Sequence, residues 1–280
     1  MKLLRVGDRG KEKPAIIDLN GKIRDLTSLI NDFTPENINE DLIKKIQNTN
    51  LQNLPEFDRN IRVGSCIEKP QKFIGIGLNY TDHAEEQNLK APEEPIIFFK
   101  SPSCIIGPYD NIIIPKNSKK TDWEVELGFV ILKKASYINE SESLSHVLGF
   151  FLVNDVSERE WQKEKCGQWV KGKSADTFGP IGPYIVTPDE LIDYQSLDMS
   201  LDVNGVRMQT GNTKKMIFNV KFIISYLSNF MTLMPGDIIT TGTPPGVGEN
   251  KHPPVFLKNG DEVSLKINKL GKQKHKVIAM

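Results

Sequence analysis

From residue 72 onward, short apolar runs alternate with glycine and proline, and this punctuation restricts the fold more than any other feature. The runs are Phe73–Ile76, Ile96–Phe99, Ile112–Ile114, Val125–Leu132, Leu148–Val153, Tyr184–Thr187, Ile238–Thr240, Val263–Ile267 and Lys276–Ala279. Each is bounded by turn residues and too short for an ordinary helix, so strands are expected. Helical spacing is confined to Thr81–Asn88, Ser143–Leu148, Ser157–Lys165 and Phe218–Phe230. In the last, Phe222, Tyr226 and Phe230 recur at i, i+4 and i+8, a stripe expected to face the core. Residues 66–280 therefore read as a mainly β (α+β) domain. Residues 1–65 read as a small α+β module. Its strands are Lys2–Val6, Pro14–Asp18 and Lys22–Asp25 around an Asn20-Gly21 turn, and its helical segments are Thr27–Ile30 and Glu40–Ile46.

Charge narrows the partners. Lysine and arginine total 36, as do aspartate and glutamate, so the net charge is zero. Binding nucleic acid or an anionic membrane draws on a basic excess, which argues against either as the main partner. The longest uncharged window, Phe222–Gly236, falls short of the ~20 apolar residues of a spanning helix. The N-terminus has no signal-peptide pattern. Cys66, Cys104 and Cys166 are odd in number and far apart, which fits free thiols in a reducing cytoplasm and no zinc site.

Chemistry concentrates in a few segments. In Asp122-Trp123-Glu124-Val125-Glu126-Leu127-Gly128, strand alternation projects Glu124 and Glu126 to one face, about 7 Å apart by strand rise. Such a pair is either a solvated face or part of a cation site. Asp155 follows the apolar run Gly149–Val153 and Asn154, and is either a helix N-cap or a third carboxylate. Three carboxylates on neighbouring strands would suit a hard cation such as Mg²⁺. Gly167–Ser174 matches the phosphate-loop pattern GxxxxGK[ST]. A charged segment precedes it and a proline- and glycine-rich one follows, so the strand and helix that pattern requires are missing. Lys173 remains as a cation able to face the carboxylates. His83 and Glu86 stand at i, i+3 on an expected helix, where a carboxylate can orient an imidazole; the alternative is an exposed helical histidine. His146, His252 and His275 read as surface residues. Gly242–Gly248 reads as a strand-end loop, either a structural turn or one presenting Thr243 and backbone amides to an anion.

Together these segments resemble the fumarylacetoacetate hydrolase family. The likeness runs through Phe73–Tyr80 with Asp82-His83, Trp123–Gly128, Asn154–Arg159, Lys171–Ser174 on to Pro183, and Pro235–Gly248. It implies a mixed β-roll, a homodimer, and Mg²⁺ or Mn²⁺ on Glu124, Glu126 and Asp155. It also implies a lid bearing a catalytic dyad of His83 with Glu86 (Glu85 being the other candidate) and an active-site lysine at Lys173. Arg159, Gln162, Thr177 and Thr243 match positions that line the substrate pocket. The implied reaction is hydrolysis of a C–C bond in a 2,4-dioxo acid, such as a 2,4-dioxo-3-deoxy sugar acid, with release of pyruvate. Decarboxylation or isomerisation of an oxo acid, or a ureidoglycolate lyase-type reaction, would use the same site. A nucleotide-binding protein built on Gly167–Ser174 is the remaining alternative.

Overall fold

The computed structural model describes residues 1–280. Its first strands are β1 (Lys2–Val6), β2 (Lys13–Ile17) and β3 (Ile23–Asp25), followed by helix α1 (Glu40–Gln47). Then come β4 (Phe73–Gly77), the short helix α2 (Thr81–Glu86), β5 (Ile96–Lys100), β6 (Ile105–Ile106), β7 (Ile112–Ile114) and β8 (Thr121–Asp122). The middle of the chain forms β9 (Val125–Ile131), β10 (Val147–Asn154), β11 (Ser157–Glu158), the single turn α3 (Val170–Lys173) and β12 (Gly179–Val186). The remainder supplies β13 (Asp198–Val203), β14 (Val206–Asn212), helix α4 (Val220–Ser228), β15 (Ile238–Thr240), β16 (Glu262–Ile267) and β17 (Gly271–Ala279). No helix is long and apolar enough to cross a membrane.

Every residue of β9 and β10 is buried. Their sequences are apolar on both faces, so they can pair only where both faces are covered. They lie antiparallel at the centre of the largest sheet, with Leu127 opposite Leu152. That sheet runs β3-β2-β1-β12-β10-β9-β15-β4-β5, with β6 on β12, and mixes parallel with antiparallel pairs. Gly128 permits the close packing: a Cβ there would lie 2.5 Å from Val153 and 2.7 Å from Phe151. A second sheet, β14-β13-β16-β17-β7, packs across a core that includes Leu127, Phe129, Phe150, Leu201 and Leu265. Residues 1–65 extend the main sheet, since β1 pairs with β12 through Lys2↔Val186 and Leu3↔Ile185. Phe33, Ile38, Leu42 and Ile46 then share a core with Phe73, Val130, Phe151 and Ile238.

The structure departs from the sequence expectations in several places. Thr27–Ile30 is a turn rather than a helix, held by Thr27 N–H donating to Asp25 Oδ1. Ser143–His146 is one 3₁₀ turn, because β10 already begins at Val147. Ser157–Lys165 divides into β11 and a π-helical turn at Glu160–Glu164. The aromatic stripe of α4 does not enter the core. Val220, Ile223, Ile224 and Leu227 are buried, each contributing about 1.5–3 kcal/mol. Phe222, Tyr226 and Phe230 line the outer face, and consecutive rings lie 5.8 and 4.9 Å apart; Phe230 is 63 % exposed. The two faces were equally apolar on paper, and the aliphatic one fits the sheet. His275 is fully buried, because strand alternation along β17 turns Gln273, His275 and Val277 inward. Its nitrogens meet Asp110 O at 2.7 Å and Gln273 Oε1 at 3.0 Å. Strands β13 and β14 lay outside the expected runs, although Asn204-Gly205 between them is a hairpin signal, with positive φ at both residues.

Candidate active site

The backbone ladder that joins β9 to β10 also assembles the carboxylates. Glu126 lies on β9 opposite Val153, Glu124 immediately precedes β9, and Asp155 immediately follows β10. Asp155 N–H donates to Glu124 O at 2.9 Å, extending the same pairing. Ligand atoms of Glu124, Glu126 and Asp155 lie within 4.8 Å of one another, and all three residues are buried. Neither a solvated face nor a helix N-cap describes them. β9 is covered on both sides, and Asp155 leads into β11, not a helix.

Cations surround this trio. Lys173 Nζ sits 2.8 Å from Glu124 Oε2 and 2.6 Å from Asp155 Oδ2. Arg159 Nη1 lies 2.7 Å from Glu124 Oε1, while its Nε lies 2.8 Å from Asp122 Oδ2. Lys100, which sequence reasoning passed over, is fully buried with Nζ 2.6 Å from Asp155 Oδ1. Lys100 shares a face of β5 with Phe98, and both are buried. Burial opposes ionisation of Glu124, yet Lys173 and Arg159 outweigh it and hold this carboxyl far below the usual range. Burial also opposes the charge on Lys173, but Asp155 and Glu124 keep it a cation. Glu126 has no such partner. Burial, then Asp155 and Glu124, push its carboxyl well above the ordinary value. Thr240 Oγ1 and the Gly242 amide both donate to its Oε2. A hard, all-oxygen donor set with one carboxylate uncompensated fits a divalent cation such as Mg²⁺ or Mn²⁺.

A cavity of about 230 Å³ opens over this floor. Glu124, Glu126, Lys173, Arg159, Gln162, Thr243 and His83 all line it, whereas Asp155 lies beneath it with no exposed surface. His83 comes from α2, where Glu86 meets it: Nδ1 is 3.0 Å from Glu86 Oε2. Glu85 makes no contact with the ring, whose partners are Glu86 and Gln87. Asn250 Nδ2 and Gly246 N–H also donate to Glu86. Burial raises the Glu86 carboxyl, but His83, Asn250 and Gly246 together hold it below its normal value. Arg159 is 4 % exposed, and its Nη2 has no hydrogen-bond partner. The Thr243 hydroxyl donates to Val125 O and accepts from Gln209 Nε2. Thr177 is not brought to the cavity. Its hydroxyl accepts from Ile113 N–H at 2.8 Å, bracing β7.

Two motifs resolve differently from their sequence appearance. Gly167–Ser174 makes no phosphate cradle, since Lys173 is committed to the carboxylates and β12, not a long helix, follows. The Gly242–Gly248 amides do bind anions, but those anions belong to the protein: Gly242 donates to Glu126, Gly246 to Glu86 and Gly248 to Asp122. Positive φ at Gly242 and Gly246 aims these donors inward. Asp122 and Gln209, which hold Arg159 and Thr243 in place, gave no signal in the sequence beyond being polar residues next to or within strands.

Comparison with known proteins agrees with this architecture. Residues 72–278 match the fumarylacetoacetate (FAA) hydrolase C-terminal family. A Burkholderia ambifaria relative, whose name says no more than hydrolase, is 52 % identical over 98 % of this chain and 97 % of its own length. Maleylpyruvate hydrolase from Sphingobium sp. SYK-6, solved with manganese(II) and pyruvate, superposes with a TM-score of 0.82 at 27 % identity, covering 100 % of this chain and 99 % of that one. The 2-hydroxyhepta-2,4-diene-1,7-dioate isomerase from Mycobacterium marinum has a TM-score of 0.78 at 30 % identity, covering 100 % and 98 %. A family match across most of the chain, joined to half-identity with a relative along nearly its full length, makes the assignment: this chain belongs to the fumarylacetoacetate hydrolase family.

Proposed function

We propose that the chain is a metal-dependent hydrolase that cleaves the C3–C4 bond of a 2,4-dioxo (acylpyruvate-type) acid and releases pyruvate. One observation carries this reading: Glu124 and Glu126 line the cavity with Asp155 directly beneath them, and His83 enters the same cavity with Glu86 behind it. In this reading the trio holds Mg²⁺ or Mn²⁺, which supplies Lewis-acid charge to the reacting oxo acid. Glu86 accepts from Nδ1 of His83 and leaves Nε2 as the basic nitrogen. His83 takes a proton from water as the water oxygen bonds to C4; the C3–C4 bond then breaks, and C3 receives that proton from His83 to complete pyruvate and restore the base. The acyl half leaves as a carboxylic acid. Lys173 spends two of its three N–H donors on Glu124 and Asp155, so the third is free to meet developing negative charge. Arg159, with Nη2 unpartnered, supports recognition of an anionic substrate, alongside Gln162 and Thr243.

Leu89, Ile96, Phe98 and Trp169 form the apolar side of the cavity, which favours a hydrocarbon acyl group over the hydroxylated chain of a deoxy-sugar acid. A homodimer in the cytoplasm, with neither nucleic acid nor membrane as a partner, belongs to the same reading. Decarboxylation needs no activated water, whereas isomerisation would use His83 as the base for a carbon-bound proton, so hydrolysis and isomerisation are told apart by their products. The test is a panel of 2,4-dioxo acids assayed with Mg²⁺, with Mn²⁺ and with EDTA, with products identified. Pyruvate plus a second acid is expected, and EDTA should abolish turnover. His83→Ala should lose about 10²–10⁴ in rate while still binding metal. Release of CO₂, or a shifted double bond with no cleavage, would favour the rival chemistries.

A further inference from the structure

The imidazole of His83 has both nitrogens occupied by the helical turn that carries it. Nδ1 lies 3.0 Å from Glu86 Oε2, and Nε2 lies 2.8 Å from Gln87 Nε2. Positions 83, 86 and 87 stand at i, i+3 and i+4, so one turn of backbone brings both partners to the ring. An amide nitrogen has donors only. His83 Nε2 therefore accepts from Gln87, and the ring proton sits on Nδ1, where it donates to Glu86. His83 is 7 % exposed. Its single lone pair able to take a proton is thus already filled, by a side chain that itself lines the cavity.

We propose that Gln87 is a positioning residue that keeps the proton-accepting nitrogen of His83 covered until a ligand entering the cavity displaces its amide. The inference rests on the reading of His83 as the base. At rest, Gln87 selects the tautomer that Glu86 requires and keeps Nε2 from solvent. On binding, the ligand pushes the amide off Nε2 and toward solvent, where water satisfies it. A water molecule then takes its place at Nε2. Gln87 therefore ties exposure of the base to occupancy of the site, and the cost of uncovering appears in binding and not in the chemical step.

Three measurements on the full chain test this. Diethyl pyrocarbonate acylates a neutral imidazole through its free lone pair, and peptide mapping reads each histidine separately. In Gln87→Met, acylation at His83 should rise about three- to tenfold, the range set by one lost hydrogen bond, with the exposed His252 unchanged. Equal rates at His83 would overturn the proposal. In the unsubstituted ¹⁵N-labelled protein, a scalar coupling across the N–H···N bond should link Gln87 Nε2 to His83 Nε2. Its absence with both signals assigned would overturn it equally, whether or not the variant folds. With an acylpyruvate that the panel identifies, Gln87→Met should lower KM and keep kcat within about twofold. A fall in kcat to the level of His83→Ala would place Gln87 on the reacting atoms and refute the covering role. The two readings fail separately. Turnover retained by His83→Ala removes the base itself, whereas an inactive His83→Ala with unchanged His83 reactivity in Gln87→Met removes only the role of Gln87.

Discussion

Replacing Glu126 with glutamine separates the charge of the carboxylate trio from its shape. Glu124, Glu126, Asp155 and Asp122 carry four negative charges, and Lys100, Lys173 and Arg159 carry three positive ones. The metal-free cluster is therefore one negative charge in excess if Glu126 is ionised, and burial first, then that excess, drives its carboxyl toward the protonated form. Glu126→Gln cancels it. The amide oxygen can still accept from Thr240 Oγ1 and Gly242 N–H, so neither of those donors is stranded, and the new amide N–H groups face the Glu124 and Asp155 carboxylates. In EDTA the variant should match or exceed the parent in stability. Metal affinity should collapse, because one elementary charge about 4 Å from another is worth ~4 kcal/mol in an effective dielectric of about 20. That is roughly a thousandfold in a dissociation constant. The assay is urea unfolding with and without Mg²⁺ or Mn²⁺. At a hundredfold excess over the dissociation constant, the parent should gain about 2.7 kcal/mol and the variant almost nothing. An equal metal-induced gain in both proteins would refute the assignment of Glu126 as a ligand. A large loss of stability in EDTA would refute the charge argument, since it would mean that the ionised carboxylate supports the metal-free fold.

Lys100→Met leaves Asp155 Oδ1 and two backbone carbonyls without their buried donor. Breaking a buried pair on one side should cost about 3–5 kcal/mol in urea unfolding; a loss below 1 kcal/mol would show that water replaces the ammonium. His275 gives a pH dependence. Burial pushes its pKa down to about 4 in the folded chain, whereas an unfolded histidine titrates near 6.5. Below pH ~6.5 the unfolded state binds the extra proton, so this contribution is complete above that pH and is lost as pH falls toward 4. The loss is on the order of 3 kcal/mol. His275→Gln, compared with the parent at pH 7.5 and 4.5, should flatten that slope; identical slopes would contradict the assignment.

Much of the site was legible in the sequence because its chemistry is local. Glu124 and Glu126 alternate along one strand, Asp155 ends the next, and His83 with Glu86 fits a single helical turn. These spacings follow from strand and helix periods, which sequence alone can carry. Lys100 was missed because its charge is explained only by Asp155, just past the end of β10 and 55 residues away in the chain. Thr177 looked like a pocket residue, and the structure spent its hydroxyl on β7.

Sequence alone determined that the chain would be mainly β, that Glu124 and Glu126 would project to one face of a strand, and that basic side chains are not in net excess. Tertiary structure decided which of the two apolar faces of α4 meets the core, that His275 is buried, and that the loop amides of Gly242, Gly246 and Gly248 serve the protein's own carboxylates. The division has a physical cause. Backbone periodicity is a property of neighbouring residues, whereas burial and charge compensation depend on what lies across a sheet, and only the folded chain brings those partners together.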